Sequence, residues 1–309
     1  MVDRIPILAE NPFPVEFGSD PEPVKKPTRK SGGSGVSVVG VGESVQRFTI
    51  DDIIHHGQTF FSDKKEDGTF VGLPIALQEA LDYATPEGIV VTMPELIAAK
   101  IKADKKHDFW TNWHTVYTEE NIGIDKKGLF YKKGEPIVVI VNGGGILTPA
   151  RIRQAYAGGL IDHSAQYTNT EFDPLLEGHL PDGSNIKLYK LEDVQKGLGV
   201  LPHRFGVVLP YKTASKTISG FQKNIPTNPL ALARAASLEN LEAYYTLAKD
   251  SKDQLGNWHV YGRDRDPQQP QGRVLYLGGI DCNGLYGNFN LDNYGRVLGV
   301  APEAHRAKK

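Results

Sequence analysis

A single cysteine, Cys282, stands in a chain of 309 residues. One thiol forms no internal disulfide and builds no thiolate metal centre, so a disulfide scaffold and a zinc ribbon are excluded, and a reducing, cytoplasmic setting is expected. Net charge is almost as scarce, since 35 Lys and Arg against 37 Asp and Glu leave −2. No whole-molecule field draws such a chain to nucleic acid or to an anionic membrane, and partners must be selected locally. No apolar run reaches the length of a membrane span, and the first residues, MVDRIPILAENPFPVEF, lack the basic-then-apolar order of a secretory signal. The P-loop lysine, the G-x-G-x-x-G fingerprint, the G-x-S-x-G elbow and H-x-x-x-H spacing are all missing, so motifs leave the cofactor unknown.

What is present is a chain that is 39% apolar, enough to bury one large core or two ordinary ones. Residues 1–43 carry six prolines and the run Ser31-Gly32-Gly33-Ser34-Gly35. Too little there is apolar to offset the entropy of ordering, and a flexible N-terminal arm is expected. One body over residues 44–302 follows, with a sub-lobe boundary conceivable near 210–228 and a frayed end at 303–309. Leu73, Leu77, Leu81 and Ala84 share one face of a helix opened by Pro74. Thr92 and Glu95 have capping-box spacing. Residues 116–124 and 128–131 read as a hairpin turning at 125–128, and a short helix capped by Thr170 or Asp173 runs through Leu176. Asn228-Pro229 and Ser237 start two further helices. Strands alternating with helices give an α/β (or α+β) fold class, a mixed sheet with flanking helices.

The most informative stretch is residues 136–159, PIVVIVNGGGILTPARIRQAYAGG. Five β-branched residues in a row suit a strand covered on both faces. Asn142, Gly143, Gly144 and Gly145 then turn the chain into a helix begun by Thr148 and Pro149, with Arg151 one turn in. Free amides at such a helix head attract anions. The expected partner is therefore a small anionic ligand, a nucleotide or sugar phosphate, held by residues 142–145, Thr148 and Arg151. The Trp258, His259 and Arg263 segment would close over it. The competing structural reading is a tight turn in which glycines only permit close packing. Two rival functions are a non-catalytic interaction or assembly protein whose arm and aromatic loops dock against a partner or against copies of itself as a homo-oligomer, and an enzyme whose metal sits between His55 or His56 and His114 or His259. In residues 278–295, Asp281, Asn283, Asn288, Asn290, Asp292 and Asn293 read as a turn-rich surface loop rather than a calcium site, because EF-hand register fails. Asn-Trp-His occurs twice, at 112–114 and 257–259, a recurrence to be checked in space.

Overall fold

Ile137, Val138, Val139, Ile140 and Val141 are all fully buried, and they alternate between two separate cores. Val138 and Ile140 join one apolar cluster, while Ile137, Val139 and Val141 join the other. A strand with period-two geometry buries every residue only when both of its faces are covered. The computed structural model describes residues 48–302 except 86, 162, 262–266 and 280–282. The arm and the C-terminal end expected from sequence lie outside the described residues.

In chain order the first elements are α1 (Ile50–His56), β1 (Gly57–Ser62), β2 (Lys65–Glu66), β3 (Thr69–Phe70), α2 (Gly72–Ala84), β4 (Ile89–Val90) and α3 (Met93–Lys102). Then come α4 (Asp108–Thr111), β5 (His114–Ile124), β6 (Pro136–Asn142), α5 (Pro149–Tyr156), β7 (Leu160–Ile161), β8 (Ser164–Gln166), α6 (Asn169–Leu176), β9 (Lys187–Lys190) and α7 (Leu191–Lys196). The remainder is β10 (Phe205–Pro210), α8 (Tyr211–Ser215), β11 (Gly220–Gln222), α9 (Pro229–Ala235), α10 (Leu238–Ala248), β12 (Leu255–Trp258), β13 (Gln271–Leu277), β14 (Gly284–Tyr286) and β15 (Gly295–Val300). Thirteen of these strands join one sheet, with the path β11-β12-β14-β13-β5-β6-β10-β9 and β15 beside the head of β5. The pairs β9/β10 and β12/β14 are parallel and most others antiparallel, so the sheet is mixed, as expected. Helices α3, α9 and α10 pack on one face, and α2, α5 and α6 on the other. No helix among the described residues is long and apolar enough to cross a membrane.

Local chemistry explains the agreements and the differences. The Thr92–Glu95 box forms as read, with the Thr92 amide and hydroxyl both donating to Glu95 Oε2, at 2.9 and 2.8 Å, and α3 starts there. Asn228 and Ser237 cap α9 and α10. The helix at 169–176 is capped instead by Thr168, whose hydroxyl faces the Glu171 amide while the Glu171 carboxylate returns to the Thr168 amide. This reciprocal pair satisfies two helix-end donors, which neither Thr170 nor Asp173 would. Residues 128–131 are not a strand. The amides of Leu129, Phe130 and Tyr131 donate to the fully buried Asp125 carboxylate at 2.8, 2.9 and 3.1 Å, which removes them from any ladder. Residues 278–295 are no surface loop either: they contain β14, and Gly284, Leu285, Tyr286 and Gly287 are buried.

Candidate functional site

The turn after β6 is closed by the protein itself. Gly143 and Gly144 take φ of +78° and +92°, which glycine allows without strain. The Ile146 and Leu147 amides that follow donate to the two oxygens of Glu119, each at 2.7 Å. Glu119 comes from β5 and is buried. A Cβ on Gly145 would stand 1.8 Å from its Oε1, so the glycine makes room for this carboxylate. Burial pushes the Glu119 carboxyl above its ordinary value, and the two amides with Asn121 offset part of that rise. Against Gly144 lies the Tyr117 ring. Asn142 accepts from the Thr118 hydroxyl at 2.8 Å, the Thr148 hydroxyl caps the Arg151 amide at 3.1 Å, and the Arg151 guanidinium pairs with Glu171 and the Gln166 carbonyl.

The other expected residues lie elsewhere. Trp258 is on β12, separated from β6 by β14, β13 and β5, and does not close over the glycine turn. His259 holds Thr217 Oγ1 at 2.9 Å through Nε2. Arg263 lies outside the described residues, as does Asp281 of the once-considered calcium loop. His114 is fully buried with Nε2 3.2 Å from Asp108. Among the described residues no three His, Cys, Asp or Glu side chains gather as metal ligands.

An open, ring-lined hollow occurs instead where β13, β14 and residues 287–294 meet the segment before β5. Its volume is about 140 Å³, and Trp113, Tyr276, Tyr286, Phe289, Asn293 and Tyr294 line it. Register builds it: Tyr276 on β13 stands opposite Tyr286 on β14 and opposite Thr115 on β5, two residues beyond Trp113 on the same face. Phe289 closes one side, with centroids 4.9 Å from Tyr276 and 5.3 Å from Tyr286. Tyr294 closes the other, 5.2 Å from Trp113. Behind Tyr286, Trp258 stacks on it at 4.4 Å and 4°. A Cβ on Gly256 or Gly284 would lie 1.5 or 2.6 Å from the Trp258 ring, so these glycines let the indole lie flat over the backbone.

Buried polar side chains hold this hollow through main-chain carbonyls. Arg234, fully buried, forks onto Glu120 at 2.8 and 3.1 Å and donates to Asn257 Oδ1 and to the carbonyls of Trp258 and Leu285, at 2.8, 3.0 and 3.3 Å. Burial alone would raise the Glu120 carboxyl, but the Arg234 charge and hydrogen bonds hold it below its ordinary value. Arg273 donates to the Gly287 carbonyl at 3.1 Å, and the Gly287 amide to the Trp258 carbonyl at 2.9 Å. Lys100, also fully buried, donates to the Gly278 carbonyl. The Tyr156 hydroxyl donates to the Leu291 carbonyl at 3.0 Å, and the Leu73 amide to the Asn293 carbonyl at 3.0 Å.

A larger groove, about 810 Å³, runs between α3, residues 194–205 and the α9–α10 junction. Of its carboxylates Glu95, Glu239 and Glu242, Glu95 is engaged in capping α3 and in pairing His203 at 2.8 Å.

Beside the hollow, the Asp108–His114 pair makes stability depend on pH. Burial lowers the His114 imidazole below its ordinary 6.5, against the raising effect of Asp108. The hydrogen bond from His114 lowers the Asp108 carboxyl to about 2. The unfolded chain takes up the histidine proton near pH 6.5 while the folded one resists, so His114's contribution is complete above 6.5 and lost as pH falls below it. Asp108's contribution is complete above about pH 4 and lost toward 2. Thermal unfolding should therefore show wild type losing stability from pH 7 to 5 more steeply than His114→Gln, by up to about 1.4 kcal/mol per pH unit for one proton. Equal slopes would contradict this.

No family model and no curated protein matches the sequence. A solved structure from Nanoarchaeota, described as the accommodation of massive sequence variation by the C-type lectin fold, is similar. It shares 26% identity and a TM-score of 0.60, covering 80% of this chain and 99% of that one. This likeness overturns the expected nucleotide or sugar phosphate at residues 143–148, because it points to a lectin-like fold rather than a phosphate-binding one. The Glu119 cap gives the physical reason: an anion would meet a carboxylate already holding the amides.

Proposed function

We propose that this protein is a carbohydrate-binding protein whose aromatic hollow receives a sugar ring. The observation that carries the reading is the hollow itself, with its walls of Trp113, Tyr286, Phe289 and Tyr294. A sugar presents an apolar C–H face and a hydroxylated edge. Aromatic faces carry negative charge density that attracts such C–H groups, and Tyr and Trp offer large rigid area at little entropic cost. Asn293, a buried lining residue whose Oδ1 accepts from the Tyr294 amide at 2.8 Å, brings an amide NH2 suited to hydroxyls. A hollow of about 140 Å³ is smaller than the several hundred Å³ of typical drug or cofactor pockets, which fits one ring rather than a dinucleotide. The likeness to a C-type lectin fold supports the same reading. Because Gly278, Leu285, Gly287, Leu291 and Asn293 are gripped by their carbonyls, the side chains around them are left to choose the ligand, in keeping with a fold described as accommodating sequence variation.

The test is a glycan array followed by calorimetry on the best neutral glycan. Phe289→Ala and Tyr294→Ala, each removing a half-buried wall, should weaken binding about tenfold with far-UV circular dichroism unchanged. Absence of glycan binding, or affinity unaltered in both variants, would remove the proposal.

A further inference from the structure

Strand register carries the aromatic surface well past the hollow. Tyr276 pairs with Tyr286, and Tyr286 with Trp258. Phe221 on β11 pairs with Gly256, two residues before Trp258, and so shares its face. Its ring meets Trp258 edge-on at 4.7 Å. Together with Trp113 at the head of β5, successive strands thus each place one ring on the same line, about 19 Å long at the usual strand spacing. Beyond Trp113 the line continues around the sheet's end to Phe61 of β1, 6.4 Å away. Both ends are open, Phe221 at 49% and Phe61 at 47% exposed, with Ile218 at 66% beside the former. Large apolar side chains left in water on either side of a recognition hollow mark a contact surface.

Resting on the sugar-binding reading, we infer that the ligand is an extended, neutral oligosaccharide lying across the strands, with an internal unit in the hollow and flanking units on Phe61 and Phe221. Tyr276 and Tyr286, at 2% and 6% exposed, form the floor of the hollow, and the flanking units meet the exposed rings Phe61 and Phe221 at the two ends of the line. Neutrality follows from the charges. The lining residues Trp113, Tyr276, Tyr286, Phe289, Asn293 and Tyr294 carry no charge, and the Arg296 guanidinium is taken up by the Phe61 and Trp113 rings, at 5.0 and 5.6 Å. A peptide is less suited, because among the described residues β12, β14, β13 and the head of β5 are paired on both sides, and the edge strand β11 that carries Phe221 is only three residues long, which leaves little main chain to pair with.

Titration with β-1,4-linked glucose and N-acetylglucosamine oligomers of one to six units tests this. Affinity should rise about tenfold or more between the monosaccharide and the longest oligomer. Phe61→Ala and Phe221→Ala should each remove part of that gain, about threefold to tenfold, and weaken the longest oligomer more than the monosaccharide. Monosaccharide binding with affinity flat in chain length overturns the chain proposal and spares the hollow. Binding of no sugar in either series overturns the chain proposal, and binding of a proline-rich peptide with no glycan bound on the array overturns both.

Discussion

Arg234→Met is expected to lower the unfolding free energy by about 3–5 kcal/mol, the usual cost of leaving a buried charge without its partner. Glu120 is as deeply buried as Arg234, and the guanidinium is its bidentate counter-charge. The same group gathers Asn257 and the carbonyls of Trp258 and Leu285, so its loss also removes a side-chain tie between β12 and β14 beneath the Trp258–Tyr286 stack. Replacing both charges, Arg234→Met with Glu120→Leu, should restore most of the stability, because an apolar pair of similar volume avoids the desolvation of two ions. Urea unfolding of the two single variants and the double distinguishes this. If the double variant is as unstable as the sum of the singles, the pair is not the coupled unit described. Sugar affinity should fall in Arg234→Met even at temperatures where it is fully folded.

Glu119→Ala should cost about 3–5 kcal/mol, since the Ile146 and Leu147 amides lose their acceptor in a dry site and a cavity opens where the carboxylate lay. The milder Glu119→Gln keeps one acceptor oxygen and should cost roughly half as much. The pH dependence has a definite sign. Burial holds this carboxyl above its ordinary 4.5, so its contribution is complete below 4.5 and declines as pH rises through the raised folded value. The stability gap between wild type and Glu119→Ala should therefore be widest in acid and narrow toward neutral pH. A gap that widens with pH would mean the carboxylate is held as a stabilised anion instead.

Much of the scaffold was legible because the signals are local. The unbroken β-branched run of β6, the Thr92–Glu95 box and the Asn228 and Ser237 caps each depend on residues within a few positions of one another, and all formed. The glycine turn after β6 was also read correctly as a turn. What failed there was its purpose: Glu119 lies twenty-seven positions from Ile146, and no local pattern announces that a strand neighbour will fill the amides. Residues 128–131 failed for a similar reason, their amides being drawn to Asp125.

The hollow was missed because its rings come from distant strands, and register is set by the whole sheet. In residues 278–295 the turn signal comes from Asn, Asp and Gly, whereas Tyr286, Phe289 and Tyr294 line the site. One signal was available. The repeated Asn-Trp-His marks Trp113 and Trp258, and both indoles belong to the same aromatic line, one as a wall of the hollow and one as the brace behind Tyr286.

The central claim is that ligand sits in this hollow, and the three tryptophans report on it separately. Trp113 forms its wall, Trp258 supports it, and Trp110 is fully buried under Tyr244 and Lys100. In variants keeping one indole each, the others being phenylalanine, the β-1,4-linked hexasaccharides should shift and quench Trp113 emission strongly and Trp258 emission weakly, leaving Trp110 unchanged. A saturable response from Trp110 with Trp113 silent would contradict the account.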